Sequence, residues 1–120
     1  MTTTSIVGLG DVLLVTIQGE LSDRDALALQ EELTTRVVDI SARGVLIDIS
    51  GLEIVDSFLA RTLHDIAAAT SLLAARTVVV GMRPEVAITL VELGLTLPGL
   101  RTALTVSRGL SVLDERADLP

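Results

Sequence analysis

The sequence contains no cysteine, lysine, tryptophan or tyrosine, and each absence closes a line of chemistry. Without cysteine there is no disulfide framework, no thiolate metal site and no thiol redox couple. Nothing then calls for an oxidising compartment, and the cytoplasm is the expected setting. Without lysine there is no Schiff base and no phosphate-gripping lysine of a P-loop. Phe58 is the only aromatic residue, so the core must be aliphatic. No apolar run approaches the roughly 18 to 20 residues a membrane span needs. The opening "MTTTSIVGLG" has neither the basic start nor the long apolar stretch of a signal peptide.

What is present points to one globular domain over residues 1–120, with residues 115–120 expected to fray as a tail. The net charge is −7, and all 9 basic residues are arginines placed singly along the chain. Dispersed cations on an acidic chain do not make a nucleic-acid footprint. Apolar residues make up 49% of the chain, and the mean hydropathy of +0.63 predicts apolar surface left over for protein partners.

The periodicities alternate between strand and helix. "GLGD" predicts a turn between a short strand at Ser5–Leu9 and a buried, β-branched strand at Asp11–Ile17. Ser22, with Asp25 three residues on, resembles a capping box. The helix it opens carries Ala26, Leu29, Leu33, Val37 and Ile40 on one face and is expected to close on Gly44 as its C-cap glycine. Val45–Ile49 reads as a central strand and Ser57–Leu73 as a helix with a stripe of Leu59, Leu63, Ile66, Thr70 and Leu73. A strand at Thr77–Val80 and a short helix from Pro84 to about Leu93 come next. The loop "LTLPGL", a last strand at Ala103–Val106 and a helix capped by Ser107 and running through Leu113 complete the order. The expected fold is α/β: four helices and a mixed, mostly parallel sheet in the order ββαβαβαβα, with a hairpin at one end.

Chemistry-bearing residues gather after the third strand, in "LIDISGLEIVDSFLARTLHDI". Ser57 lies on a strand-to-helix turn, as a hydrolase nucleophile does, but the glycines of G-x-S-x-G are missing. The lone histidine, His64, falls two helical turns away, about 10 Å along the axis and out of hydrogen-bond reach. His64 is expected to face solvent or the edge of the core. Asp48, Glu53 and Asp56 surround the carboxyl end of the central strand, where α/β sheets commonly bind ligands. A hard cation needs more convergent oxygens than these supply. Asp48 reads more simply as a polar strand end and Asp56 as a residue capping or facing the helix N-terminus. Two readings of Ser57 then stay open on residue chemistry alone: a helix cap, or a substrate for modification. A phosphate there would meet free N–H groups and the positive end of the helix dipole, and would bring a charge of about −1.5 to −2.

The element order, with Asp56-Ser57 at the start of the helix after the third strand, resembles the STAS domain family of bacterial anti-sigma-factor antagonists, over nearly the whole chain. Simple antagonists usually read Asp-Ser-Ser-Gly-Leu at this point. "VDSFLARTL" and "VVVGMRPEVAITLVELGLTLPGLRTAL" instead look like the stressosome subfamily, in which small scaffold proteins co-assemble with larger sensor paralogues. The resemblance implies a non-enzymatic stress-signalling scaffold, without cofactor or metal, that forms homo- and hetero-oligomers. It implies Ser57 as the main phosphorylation site, Thr89 as a weaker one, and Asp56, Ser57, Phe58 and Arg61 as the partner-binding surface. The implied partners are a Ser/Thr kinase of the histidine-kinase-like ATPase fold, a sensor paralogue with a C-terminal STAS domain, and a PP2C-type phosphatase. A simple anti-sigma-factor antagonist and a ligand-binding STAS domain are the alternatives.

Overall fold

A computed structural model describes residues 3–52, 56–92 and 100–115. Strands β1 (Thr3–Leu9) and β2 (Val12–Gly19) form an antiparallel hairpin with Leu9 opposite Val12. The two-residue link turns on Gly10, whose φ of 65° is the positive value that tight hairpin turns require. Helix α1 (Asp23–Ile40) leads to β3 (Gly44–Leu52), and α2 (Ser57–Leu72) leads to β4 (Arg76–Val80). Helix α3 (Pro84–Glu92), β5 (Arg101–Ala103) and α4 (Val106–Asp114) complete the order. The sheet runs β1-β2-β3-β4-β5, antiparallel in its first pair and parallel in the other three. The α/β architecture, the four helices and the terminal hairpin are those expected.

Strand alternation divides the core in two. Leu13, Val15, Ile17, Val45, Ile47, Ile49 and Val79 face a cluster built with Leu29, Leu33 and Val37 of α1, Leu59, Leu63 and Ile66 of α2, and Val86 and Leu90 of α3. The alternate residues Val12, Leu46, Val78 and Val80 meet Leu113 of α4 on the opposite face. Three helices therefore cover one face, as a sheet whose order never reverses demands of crossovers that share one hand. Among the described residues helix α4 alone covers the other. It sits close because Gly109 has no side chain: a Cβ there would lie 2.8 Å from Val80 Cγ1 and 2.9 Å from Leu46 Cδ2. Its C-terminal end is gripped by Arg43, just before β3, and by Arg76 and Arg101, the first residues of β4 and β5. Arg43 Nη2 meets Asp114 at 2.9 Å, Arg76 Nη1 donates to the Glu115 carbonyl at 2.8 Å, and Arg101 Nη2 meets Glu115 at 3.1 Å. A hydrogen bond to Asp11 also holds the Arg43 pKa above its usual value.

Several boundaries differ from expectation. Helix α1 stops at Ile40, and Ser41, not a glycine, takes the left-handed cap at φ 51°. Gly44 instead opens β3, where a Cβ would collide with Leu113 Cδ1 at 2.6 Å. Ile40 and Leu73 lie outside their stripes, 41% and 38% exposed, because each helix ends before another inward turn is completed. Strand β5 is three residues long, and Thr105 rather than Ser107 caps α4, its side chain accepting from Arg108 N at 3.1 Å. Ser22 caps α1 as expected, accepting from Asp25 N at 3.1 Å. Most of "LTLPGL", along with Glu53 and the end of the tail, lies outside the described residues.

Candidate functional site

The carboxyl end of β3 carries an irregularity in its pairing with β2. Thr16 pairs with Asp48, but the next pair is Gln18 with Gly51, so β3 carries one extra residue here. Such a bulge bends a strand and re-aims its side chains. Asp48 pins it: Oδ1 accepts from Ser50 N at 2.9 Å and from Ser50 Oγ at 2.8 Å. Two glycines make room. A Cβ on Gly51 would lie 2.8 Å from Gln18 Cγ, and one on Gly81, at φ 76°, would lie 2.9 Å from Asp48 Oδ1. Past the bulge, Leu52 is buried, and its carbonyl accepts a hydrogen bond from Arg83 Nη2.

Helix α2 then starts from the same edge of the sheet. Asp56 is its N-cap, with φ −144° and ψ −176°, and its Oδ1 accepts from Leu59 N at 3.0 Å. The adjacent Ser57 is therefore the first helical residue and not the cap. The cap is Asp56, so the cap reading of Ser57 does not hold. Ser57 is exposed. Hydroxyls deeper in a helix commonly donate back to the carbonyl four residues earlier, as Thr62 does to Phe58 and Thr89 to Glu85, at 2.9 and 2.8 Å. A residue at the first position has no preceding turn to bond to. The hydroxyl of Ser57 is thus exposed at a helix end where amides await partners, with the Asp56 carboxylate as the one acidic group of the cap and none within the first turn itself.

The other candidates distribute around it. Phe58 is half-buried and packs against the larger core cluster, while Arg61 is exposed one turn on. His64 faces solvent, with Nδ1 3.5 Å from Asp65, and is far from Ser57 along the helix. Asp48 and Asp56 do not converge on a common point; each is committed to its own neighbouring backbone. Among the described residues no group of three His, Asp or Glu can hold a metal ion. Thr89 is half-buried and back-bonded to the Glu85 carbonyl, whereas Ser57 is exposed. Arg83 belongs to this edge but has no sequence signature, since its partner is a main-chain carbonyl.

Among the described residues no helix is long and apolar enough to cross a membrane. A family model described as "STAS domain" matches residues 3–108. The chain is 31% identical over 108 residues to the RsbT co-antagonist protein RsbRA of Bacillus subtilis, covering 90% of this chain and 39% of that relative's length. It thus spans well under half of RsbRA. A serine-to-glutamate variant of Moorella thermoacetica RsbS superposes with a TM-score of 0.78 at 39% identity, over 92% of this chain and 93% of that one. A chain from the structure described as the molecular architecture of the stressosome, a signal integration and transduction hub, gives 0.78 at 37% identity, over 96% of this chain and all (100%) of its own length.

Proposed function

Because this chain belongs to the STAS domain family, and because its structural likenesses include RsbS and a stressosome chain, we propose that it is a stressosome-type scaffold whose partner binding is switched by phosphorylation of Ser57. The observation that carries the reading is the exposed, first-position hydroxyl of Ser57, next to a cap supplied by a different residue. Phosphate at that point leaves the cap intact and lies against the positive end of a 16-residue helix, so the fold tolerates it. It also adds about two negative charges to a face that had a small neutral group, beside the carboxylate of Asp56. The surface that captures a partner through Asp56, Ser57, Phe58 and Arg61 goes from near neutrality to net negative, while the core is untouched.

The partners in this reading are a Ser/Thr kinase of the histidine-kinase-like ATPase fold, held by the unmodified protein and released by the modified one, and a larger paralogue with the same domain. A PP2C-type phosphatase resets the switch. Assembly has surface to work with: Leu72, Val91, Leu104 and Ile88 are 89%, 76%, 72% and 58% exposed, an apolar excess that a scaffold covers by association. The test is co-elution of the kinase with wild type, Ser57→Ala and Ser57→Asp, before and after ATP, with light scattering on mixtures with the paralogue. Wild type should release the kinase after ATP, Ser57→Ala should retain it, and Ser57→Asp should hold it weakly from the start. Equal retention by three folded proteins, before and after ATP, refutes the switch. Scattering that never exceeds a dimer refutes the scaffold.

A further inference from the structure

The geometry points to Arg83 as a positioning residue for Ser57 phosphorylation: it replaces the missing strand partner at the end of β3 and so fixes the point from which α2 departs. The inference rests on the reading of Ser57 as the acceptor. Its basis is a mismatch in strand lengths. Pairing between β3 and β4 ends with Asp48 opposite Val80, yet β3 continues to Leu52. On the β2 side the extension is supported, Gln18 pairing with Gly51 and Gly19 with Leu52. On the β4 side no strand accompanies it among the described residues, because the chain turns at Gly81 and enters α3 at Pro84. A buried carbonyl left without a ladder needs a donor from elsewhere. Arg83, in the turn just before α3, supplies one from Nη2 to the Leu52 carbonyl.

The competing partner of Arg83 is weak. Glu85 stands 3.7 Å from Nη1, with the two side chains 44% and 69% exposed, and an exposed pair of that kind contributes little. A charge-assisted bond to a part-buried carbonyl is the stronger contact. The bulge gives independent support. Asp48 and Ser50 pin the extension at its base, Arg83 pins it at its tip, and Asp56 and Ser57 come a few residues later. The phosphoryl step needs that fixity. The γ-phosphoryl group of ATP passes to Ser57 Oγ, its bond to the bridging oxygen of ADP breaks, and the hydroxyl proton leaves to a base of the kinase. A hydroxyl held in one place presents itself for in-line attack more often than one on a loosened strand end.

The experiment compares full-length wild type with Arg83→Ala, Arg83→Lys and Arg83→Gln. Amide exchange is followed at Leu59 and the rest of the first turn of α2, with Val79 of β4 as internal reference. Phosphate incorporation at Ser57 is measured with a Ser/Thr kinase of the histidine-kinase-like ATPase fold and radiolabelled ATP. Losing one charge-assisted hydrogen bond should speed exchange in the first turn of α2 by about tenfold and leave Val79 unchanged. The kcat/KM for phosphorylation should fall by a similar factor, about tenfold, in Arg83→Ala. Arg83→Lys, which keeps a charged donor, should recover part of both, and Arg83→Gln less. If Arg83→Ala fails to fold, the Lys and Gln variants carry the comparison. Exchange and phosphorylation matching wild type in folded Arg83 variants overturn the inference. A wild-type protein that takes no phosphate at Ser57 overturns the acceptor reading instead, and the exchange measurement then decides the role of Arg83 alone.

Discussion

Asp56 and Ser57 are both residues that cap helices well, and separating them is the sharpest test of how α2 begins. Asp56→Ala removes the bond to Leu59 N and leaves that amide without its partner, at a cost of about 0.5 to 2 kcal/mol. It also removes a negative charge from the positive end of the helix, a further ~0.3 to 1 kcal/mol at low salt. The combined loss of ~1 to 3 kcal/mol lowers the midpoint of thermal unfolding by about 3 to 6 °C for each kcal/mol in a chain of this size. Asp56→Asn keeps an accepting oxygen and loses only the charge, so it should show just the smaller, salt-sensitive part. Ser57→Ala removes no cap and places a better helix former at an exposed position, so it should stay within about 0.5 kcal/mol of wild type. Urea unfolding at low and high salt, with unchanged slopes, measures all three. A silent Asp56→Ala together with a Ser57→Ala loss above about 1 kcal/mol would reverse the assignment of cap and acceptor.

Two further outcomes probe the core. Thr70 and Thr77 share a buried hydroxyl contact of 2.7 Å, and Thr70 also donates to the Ile66 carbonyl. Thr70→Val strands the Thr77 hydroxyl and should cost about 1 to 3 kcal/mol; adding Thr77→Val should restore part of it, and a double-mutant cycle by urea unfolding that shows no coupling would contradict the contact. Gly109→Ala gains about 1 kcal/mol of helix propensity. It also drives a methyl into Val80 and Leu46, overpacking that costs about 1 to 3 kcal/mol. Net destabilisation with faster amide exchange across α4 is expected, and a more stable protein would show that the close approach is not as drawn.

The elements themselves were legible because hydrophobic period and buried area agree in this chain. The β-branched run of β3 and the three-and-four spacing of α1 each match one face of the core. The reading stayed open, or went wrong, where two residues compete for one local role. Ser57 beside Asp56, and Ser107 near Thr105, are both sound cap residues, and only backbone direction chooses between them. Gly44 looked like the glycine that ends α1 because glycine adopts positive φ without strain. Its real constraint is the approach of Leu113, a contact spanning most of the chain. The serine was picked out by its place in the Asp-Ser pair, and its surroundings were not. Asp48 read as a polar strand end, yet it pins a bulge. Arg83 went unseen because a main-chain carbonyl is the same whatever residue carries it.

The strand order of the sheet is also the order of synthesis. Each strand made on the ribosome finds its neighbour already present: β2 folds back on β1, β3 lays against β2, and β4 against β3. After β1, no strand waits for a partner encoded later, so the growing chain can extend its sheet by one edge at a time as it emerges. Two events come late in that sequence. Arg83 emerges only after β4, so the tip of β3 is tied down when about two-thirds of the chain exists. Helix α4, with Leu113 to set beneath Gly44 and the three arginines waiting, closes the second face last. A nascent chain truncated before α4 would carry Ser57 and still show Leu46, Val78 and Val80 to water, an apolar face that α4 removes.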